Sequence, residues 1–255
     1  MTDIGAVLHA GDPFLHRVAV LTAAAAGSWL IARDSRAWPL SAGQRLGVLL
    51  AVGLGSMIGS AIPGLIAGGL VGDQVAFLAE SRADAGAALG GILLFGPKTV
   101  VGGLLGGFAG AALFKRLARI PYDTSDAFAR GACLLMVIGR LGCIAQHCCF
   151  GAPCPAWAGV DQGDGVPRWP VQVVEASFQA LLLVVIHLLH VRGLLPGRRL
   201  FVGFVAYGLA RFGLEFLREP FGAPLLGLGF YHWLALLLAA VGAVELLRRA
   251  RRTPA

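Results

Sequence analysis

The chain has 255 residues, 57% of them hydrophobic and 14% charged, with a mean hydropathy of +0.75. Soluble domains carry about 25% charged residues, so this composition excludes a soluble globular domain and places the chain in a bilayer. The net charge of +7 does not point to nucleic acid: the basic residues fall in short clusters between apolar stretches, the pattern of topology signals and anionic-lipid contact.

A spanning helix needs about 20 mostly apolar residues. Seven stretches qualify: 15–32, 46–72, 85–114, 128–146, 171–191, 200–217 and 225–247. The third is interrupted by Gly96-Pro97-Lys98, where proline breaks a helix; a re-entrant or kinked piece followed by a span from Thr99 to Phe114 fits better than one straight helix. No polar stretch is long enough for a soluble domain, so the expectation is one all-α, polytopic transmembrane domain over residues 1–255. The first ten residues lack the basic start and apolar core of a cleavable signal peptide.

Basic residues orient the spans. Arg33, Arg36 and Arg45 follow the first, and Lys115, Arg116, Arg119 and Arg130 the third. Arg192, Arg198 and Arg199 follow the fifth, and Arg248, Arg249, Arg251 and Arg252 the seventh, which puts 14 of the 21 Lys and Arg on one face. The positive-inside rule then predicts an outside N-terminus and a cytoplasmic C-terminus. In that topology Arg140, His147, Gln172, Glu175, Arg211, Glu215, Arg218, Lys98 and His232 all fall toward the outer side. Arg211, Glu215 and Arg218, spaced by four and then three, share one helical face.

A charge in a spanning segment costs about 3 kcal/mol on insertion scales and usually marks a site. Lys98, Arg140 and Arg211 read as an anion pocket toward the outer leaflet, since the guanidinium fork suits phosphate; the anion at that depth would be a phospholipid headgroup. The other reading is a charge network between helices, with Glu175 neutralising Arg140 and Glu215 neutralising Arg211. Residues 139–151 concentrate Arg140, Gln146, His147 and three cysteines. The spacing Cys143-x4-Cys148-Cys149-x4-Cys154 fits no common zinc pattern, so no metal and no cofactor is expected. An oxidising compartment would permit a disulfide of Cys154 with Cys148 or Cys149. Cys133, mid-helix, reads as core, and His187 and His190 as structural. The glycine runs at 53–55, 102–103 and 106–110 read as close helix packing rather than nucleotide loops, because no strand precedes them. Glycines beside Lys98 would also let a headgroup approach the backbone.

These residues resemble the bacterial prolipoprotein diacylglyceryl transferase family. Gly139, Arg140, Gly142 and Gly151 match its Gly-Arg-x-Gly-Asn-Phe-x-Asn-x-Glu-x-x-Gly signature, while Cys143, Gln146 and Cys148 replace the two Asn and the Glu. Pro170, Gln172 and Glu175 match its His-Pro-Thr-Gln-Leu-Tyr-Glu. Tyr207, Gly208, Arg211, Phe212, Glu215, Phe216, Arg218 and Pro220 match Tyr-Gly-x-x-Arg-Phe-x-x-Glu-Phe-x-Arg-x-Pro. Gly229-x-x-His232-Trp233-Leu234 is similar to Gly-x-x-Gln-Trp-Leu, and Gly102, Gly103 and Gly106 to its His-Gly-Gly-Leu-x-Gly, with Val101 in the histidine's place.

The resemblance implies a plasma-membrane transferase that moves a diacylglyceryl group from phosphatidylglycerol to the lipobox cysteine of an exported preprotein. Arg140 and Arg211 would then hold the phosphate, with Glu215 orienting Arg211. His147, or else Lys98, would be the base. Lys98, Gly102, Gly103, Cys143, Gln146, Gly151, Gln172, Glu175, Tyr207, Arg218 and His232 would line the substrate site. The competing reading is a non-catalytic phospholipid-binding protein or lipid carrier of the same fold. A channel is disfavoured because no row of ionisable residues continues to the cytoplasmic face.

Overall fold

The structure, a computed structural model, describes residues 13–67, 98–161, 165–219 and 225–252. Helices dominate: α1 Pro13–Ser35, α2 Ala42–Ala67, α3 Val100–Leu117, α4 Asp126–Ala145, α5 Val171–Val191, α6 Arg199–Glu215 and α7 Phe230–Arg252. A two-stranded hairpin, β1 Val160–Asp161 and β2 Pro167–Arg168, lies between α4 and α5 and pairs Val160 with Arg168. Six of these helices are long and apolar enough to cross a membrane, and the chain is an all-α, multi-pass membrane protein. The sixth expected span, 200–217, is the exception. Helix α6 has 17 residues, about 25 Å at 1.5 Å per residue. Gly96 and Pro97 lie outside the described residues; the helix that follows begins at Val100, capped by the Thr99 side chain, which accepts a hydrogen bond from Gly102 N at 3.2 Å.

The chain forms two compact units. The smaller contains α2 and α3. Helix α2 opens with a capping box: Ser41 N donates to Gln44 Oε1 at 3.1 Å, and Gln44 N to Ser41 Oγ at 3.2 Å. The two helices run antiparallel along a glycine seam in which Gly59 faces Gly102, Gly55 faces Gly106 and Ala51 faces Gly110. A Cβ on Gly102, Gly106 or Gly110 would run into the facing main-chain carbonyl, so helix packing accounts for these glycines. Gly103 is different: a Cβ there would meet nothing closer than 3.6 Å.

The larger unit holds α1, α4, α5, α6, α7 and the hairpin. Its helices alternate in direction. Gly142, near the end of α4, abuts His16 and Ala19 near the start of α1, while Gly131 abuts Gly27 and Ile31. Arg140 near the end of α4 bonds Glu175 near the start of α5. At the other extreme, Arg130 contacts His187. This alternation brings the end of α4, the start of α5, the end of α6 and the start of α7 to one end of the unit. Phe201, Leu238, Ile186 and Tyr207 are among its most buried side chains.

Candidate functional site

The centre of that end is Glu175, one turn into α5 and 1% exposed. Its Oε1 accepts from Arg140 Nη2 at 2.7 Å and from the Tyr207 hydroxyl at 2.6 Å, and its Oε2 accepts from Arg211 Nη1 at 3.2 Å. Two guanidiniums, one from α4 and one from α6, thus meet on a single carboxylate. Arg211 Nη2 also lies 2.6 Å from Glu215 Oε2, a charge contact rather than an aligned hydrogen bond. Arg218 Nε stands 3.9 Å from the same oxygen. The helical repeat puts Arg211 and Glu215, four apart, on one face of α6, and Arg218 follows in the turn beyond its end. Three guanidiniums face two carboxylates, and the cluster carries a positive surplus. Such charges are tolerated where they pair with one another.

Several other residues singled out in the sequence belong to the same unit as this centre. Gln172 is fully buried one turn before Glu175. His232, near the start of α7, is 6% exposed and packs edge-on against Phe212 and Phe216, with ring centroids 5.4 and 4.5 Å away; neither ring nitrogen has a hydrogen-bond partner among the described residues. Gly151 sits where three main-chain segments converge: Gly151 N donates to Trp169 O at 2.8 Å, and Ala152 N to Leu217 O at 2.8 Å. A Cβ on Gly151 would lie 2.6 Å from Trp169 Cβ and collide with the Leu217 carbonyl, so only glycine fits. Lys98, Gly102 and Gly103 belong to the smaller unit. Lys98 is exposed and Val101 is buried there.

Helix α4 ends in a Schellman motif. His147 N donates to Ile144 O at 3.2 Å and Cys148 N to Cys143 O at 3.1 Å, with Gln146 at the C-cap and His147 in the left-handed region at φ 50°. In this motif the side chains three positions before and two positions after the cap meet; here they are Cys143 and Cys148. Cys149 follows, also left-handed at φ 62°, and Arg218 Nη1 donates to its carbonyl at 3.2 Å. A left-handed residue other than glycine costs about 1–2 kcal/mol. The His147 Nδ1 atom is buried without a hydrogen-bond partner among the described residues. Arg140 Nη1 points at Cys143 Sγ, 3.9 Å away. Hydrogen bonds from Cys143 and Cys148, reinforced by Arg140 and Arg218, pull the Cys149 thiol far below the ordinary range, and the same thiol contacts push Cys148 up. All five cysteines are free thiols, so the disulfide that the sequence allowed between Cys154 and Cys148 or Cys149 is not formed.

Two features escaped the sequence. Gln179, one turn beyond Glu175, is fully buried with neither side-chain amide atom hydrogen-bonded among the described residues. A second charge cluster stands at the opposite end of the unit, so the polar groups do not all gather at one depth. Arg130, counted above as a flanking charge, is buried within α4 and pairs with Asp34 at 2.6 Å. It lies 3.2 Å from His187, while Arg199 pairs with Asp126 at 3.1 Å and lies 3.3 Å from His190.

Sequence comparison bears on the same residues. The family described as prolipoprotein diacylglyceryl transferase matches residues 17–248. A phosphatidylglycerol–prolipoprotein diacylglyceryl transferase of Rhodospirillum rubrum is 32% identical over 178 residues, covering 63% of each chain. A protein of the same name from Idiomarina loihiensis is 32% identical over 164 residues, 60% of each chain. A third, from Bordetella parapertussis, is 32% identical over 158 residues, 59% of this chain and 60% of its own. The matched stretch therefore spans less than two thirds of these relatives' lengths. With the family match running from within α1 to within α7, the chain belongs to the prolipoprotein diacylglyceryl transferase family.

Proposed function

We propose that this protein transfers a diacylglyceryl group from phosphatidylglycerol to the cysteine thiol of an exported lipobox preprotein, at the outer leaflet of a bacterial plasma membrane. The N-terminus would lie outside and the C-terminus in the cytoplasm, as the basic clusters imply. The observation that carries this reading is the shared carboxylate: Arg140 and Arg211 reach it from separate helices, so their free donors lie within reach of one phosphate group. The sequence paired Glu175 with Arg140 alone; its second bond, to Arg211, is what joins the two cations.

The chemistry follows from that placement. The acceptor thiol gives its proton to a base, and its sulfur bonds to the glyceryl carbon. The bond from that carbon to the phosphate oxygen breaks, and glycerol phosphate leaves with the electron pair. Arg140 and Arg211 stabilise the negative charge gathering on the leaving phosphate. Glu215 and Glu175 hold Arg211 in place, and Tyr207 fixes Glu175. His147 is the first candidate base, supported by a buried Nδ1 without a hydrogen-bond partner among the described residues and by the fitness of imidazole for proton transfer near neutral pH. Gln172, Arg218, His232, Cys143, Gln146 and Gly151 would line the donor and acceptor paths.

Purified protein, phosphatidylglycerol and a lipobox peptide should yield a thioether-linked diacylglyceryl peptide. Arg211→Ala should abolish the product and Arg211→Lys leave a trace of it, with both variants judged by helix content. Lipid binding that requires Arg211 without any peptide modification would refute transfer in favour of a carrier.

A further inference from the structure

Phosphate stabilisation and proton transfer call on none of three neighbouring thiols. The sulfur atoms of Cys143, Cys148 and Cys149 all lie within 4.8 Å of one another. Read along the chain their spacing matches no familiar metal pattern, yet the fold brings them together for the reason given above: the Schellman motif faces Cys143 with Cys148, and the left-handed Cys149 turns its side chain back to the same point.

We propose that Cys143, Cys148 and Cys149 form a three-thiolate site for a thiophilic d10 cation of the zinc, cadmium or copper(I) class. Sulfur donors select these ions over magnesium, calcium or manganese. With metal–sulfur bonds of about 2.3 Å, a tetrahedral site needs sulfur atoms about 3.8 Å apart. The longest separation here exceeds that by no more than about 1 Å, within reach of side-chain rotation. Two cations stand beside the group: Arg140 Nη1 is 3.9 Å from Cys143 Sγ, and Arg218 Nη1 donates to the carbonyl of Cys149. Cys149 is exposed, which gives a cation an entry path and leaves a fourth position for water or another donor. Cys154 stays outside the group, its sulfur against Gly159, just before β1. Cys133 is buried within α4. This site does not depend on the transfer reaction.

The test uses the full chain in lipid nanodiscs, reduced and stripped of metal, titrated with cadmium without oxygen. Sulfur-to-cadmium charge-transfer absorbance should saturate at one ion per chain. Cys143→Ser, Cys148→Ser and Cys149→Ser should each weaken binding beyond the about 10- to 100-fold that changes around a metal site usually cost. Cys133→Ser and Cys154→Ser should leave it unchanged. Absence of the band in the wild-type protein would overturn the site. So would wild-type affinity in any of the three cluster variants that keeps its helix content, or loss of the band in Cys154→Ser.

Discussion

Replacing Glu175 by Gln keeps the side chain's shape and removes the one charge that Arg140 and Arg211 share. Two bonds are at stake, from Arg140 at 2.7 Å and Arg211 at 3.2 Å. A hydrogen bond to a charged group contributes about 1.5–3 kcal/mol. Removing one member of a buried ion pair costs about 3–5 kcal/mol, because the other is stranded. Polar contacts between membrane helices average only about 0.6 kcal/mol, so the two cases separate cleanly. Reversible unfolding in mixed micelles should show Glu175→Gln destabilised by about 3–5 kcal/mol. In a double-mutant cycle with Arg140→Gln, the coupling should exceed about 1 kcal/mol. A loss below about 1 kcal/mol, with no coupling, would mean that Glu175 is an ordinary interhelical contact. Arg140 and Arg211 would then not be held together by one shared carboxylate.

Three further outcomes follow from the same geometry. His147→Gly relieves a left-handed residue and should raise stability by about 0.5–1 kcal/mol, while reducing peptide modification if His147 is the base; a variant more stable and fully active would remove His147 from that role. Gly151→Ala drives a methyl into Trp169 and the Leu217 carbonyl and should lower the thermal midpoint by several degrees. Gly139→Ala, with nothing within 4 Å, should leave the midpoint unchanged. Arg130→Gln and Asp34→Asn should each destabilise the protein by about 2 kcal/mol or more and couple in a double-mutant cycle, without touching lipid binding; additive losses would show the pair to be incidental.

What the sequence revealed was set by how rare charge is among apolar residues. Arg140, Glu175, Arg211 and Glu215 stood out against their helices, and the positions of the helix ends implied that they share a depth. The helical repeat put Arg211 and Glu215 on one face. Arg130 was misjudged for a related reason. A basic residue near a helix end reads as a flank unless its partner is visible, and Asp34 lies 96 positions away in the chain. The thiol cluster was hidden because its convergence depends on where α4 stops. Neither glycine nor asparagine marks that stop; His147 takes the left-handed position instead. The glycine seam of α2 and α3 was legible as small-residue spacing, but only backbone geometry separates Gly102, which packing requires, from Gly103, which it does not.

The junction at Gly151 governs how much the loop beside the arginines can change. Trp169 N donates to Ala152 O at 3.1 Å, Cys154 N to Pro167 O at 2.9 Å and Ala152 N to Leu217 O at 2.8 Å. These main-chain bonds lace the segment after α4 to the approach to α5 and the exit from α6, and the Arg218 side chain adds one more tie through the Cys149 carbonyl. Bonds between backbone atoms at residues 151, 152, 154, 167, 169 and 217 do not depend on which side chains residues 143–149 carry. The frame is indifferent to its contents, which is how a cationic cradle and a knot of sulfur come to share one rim.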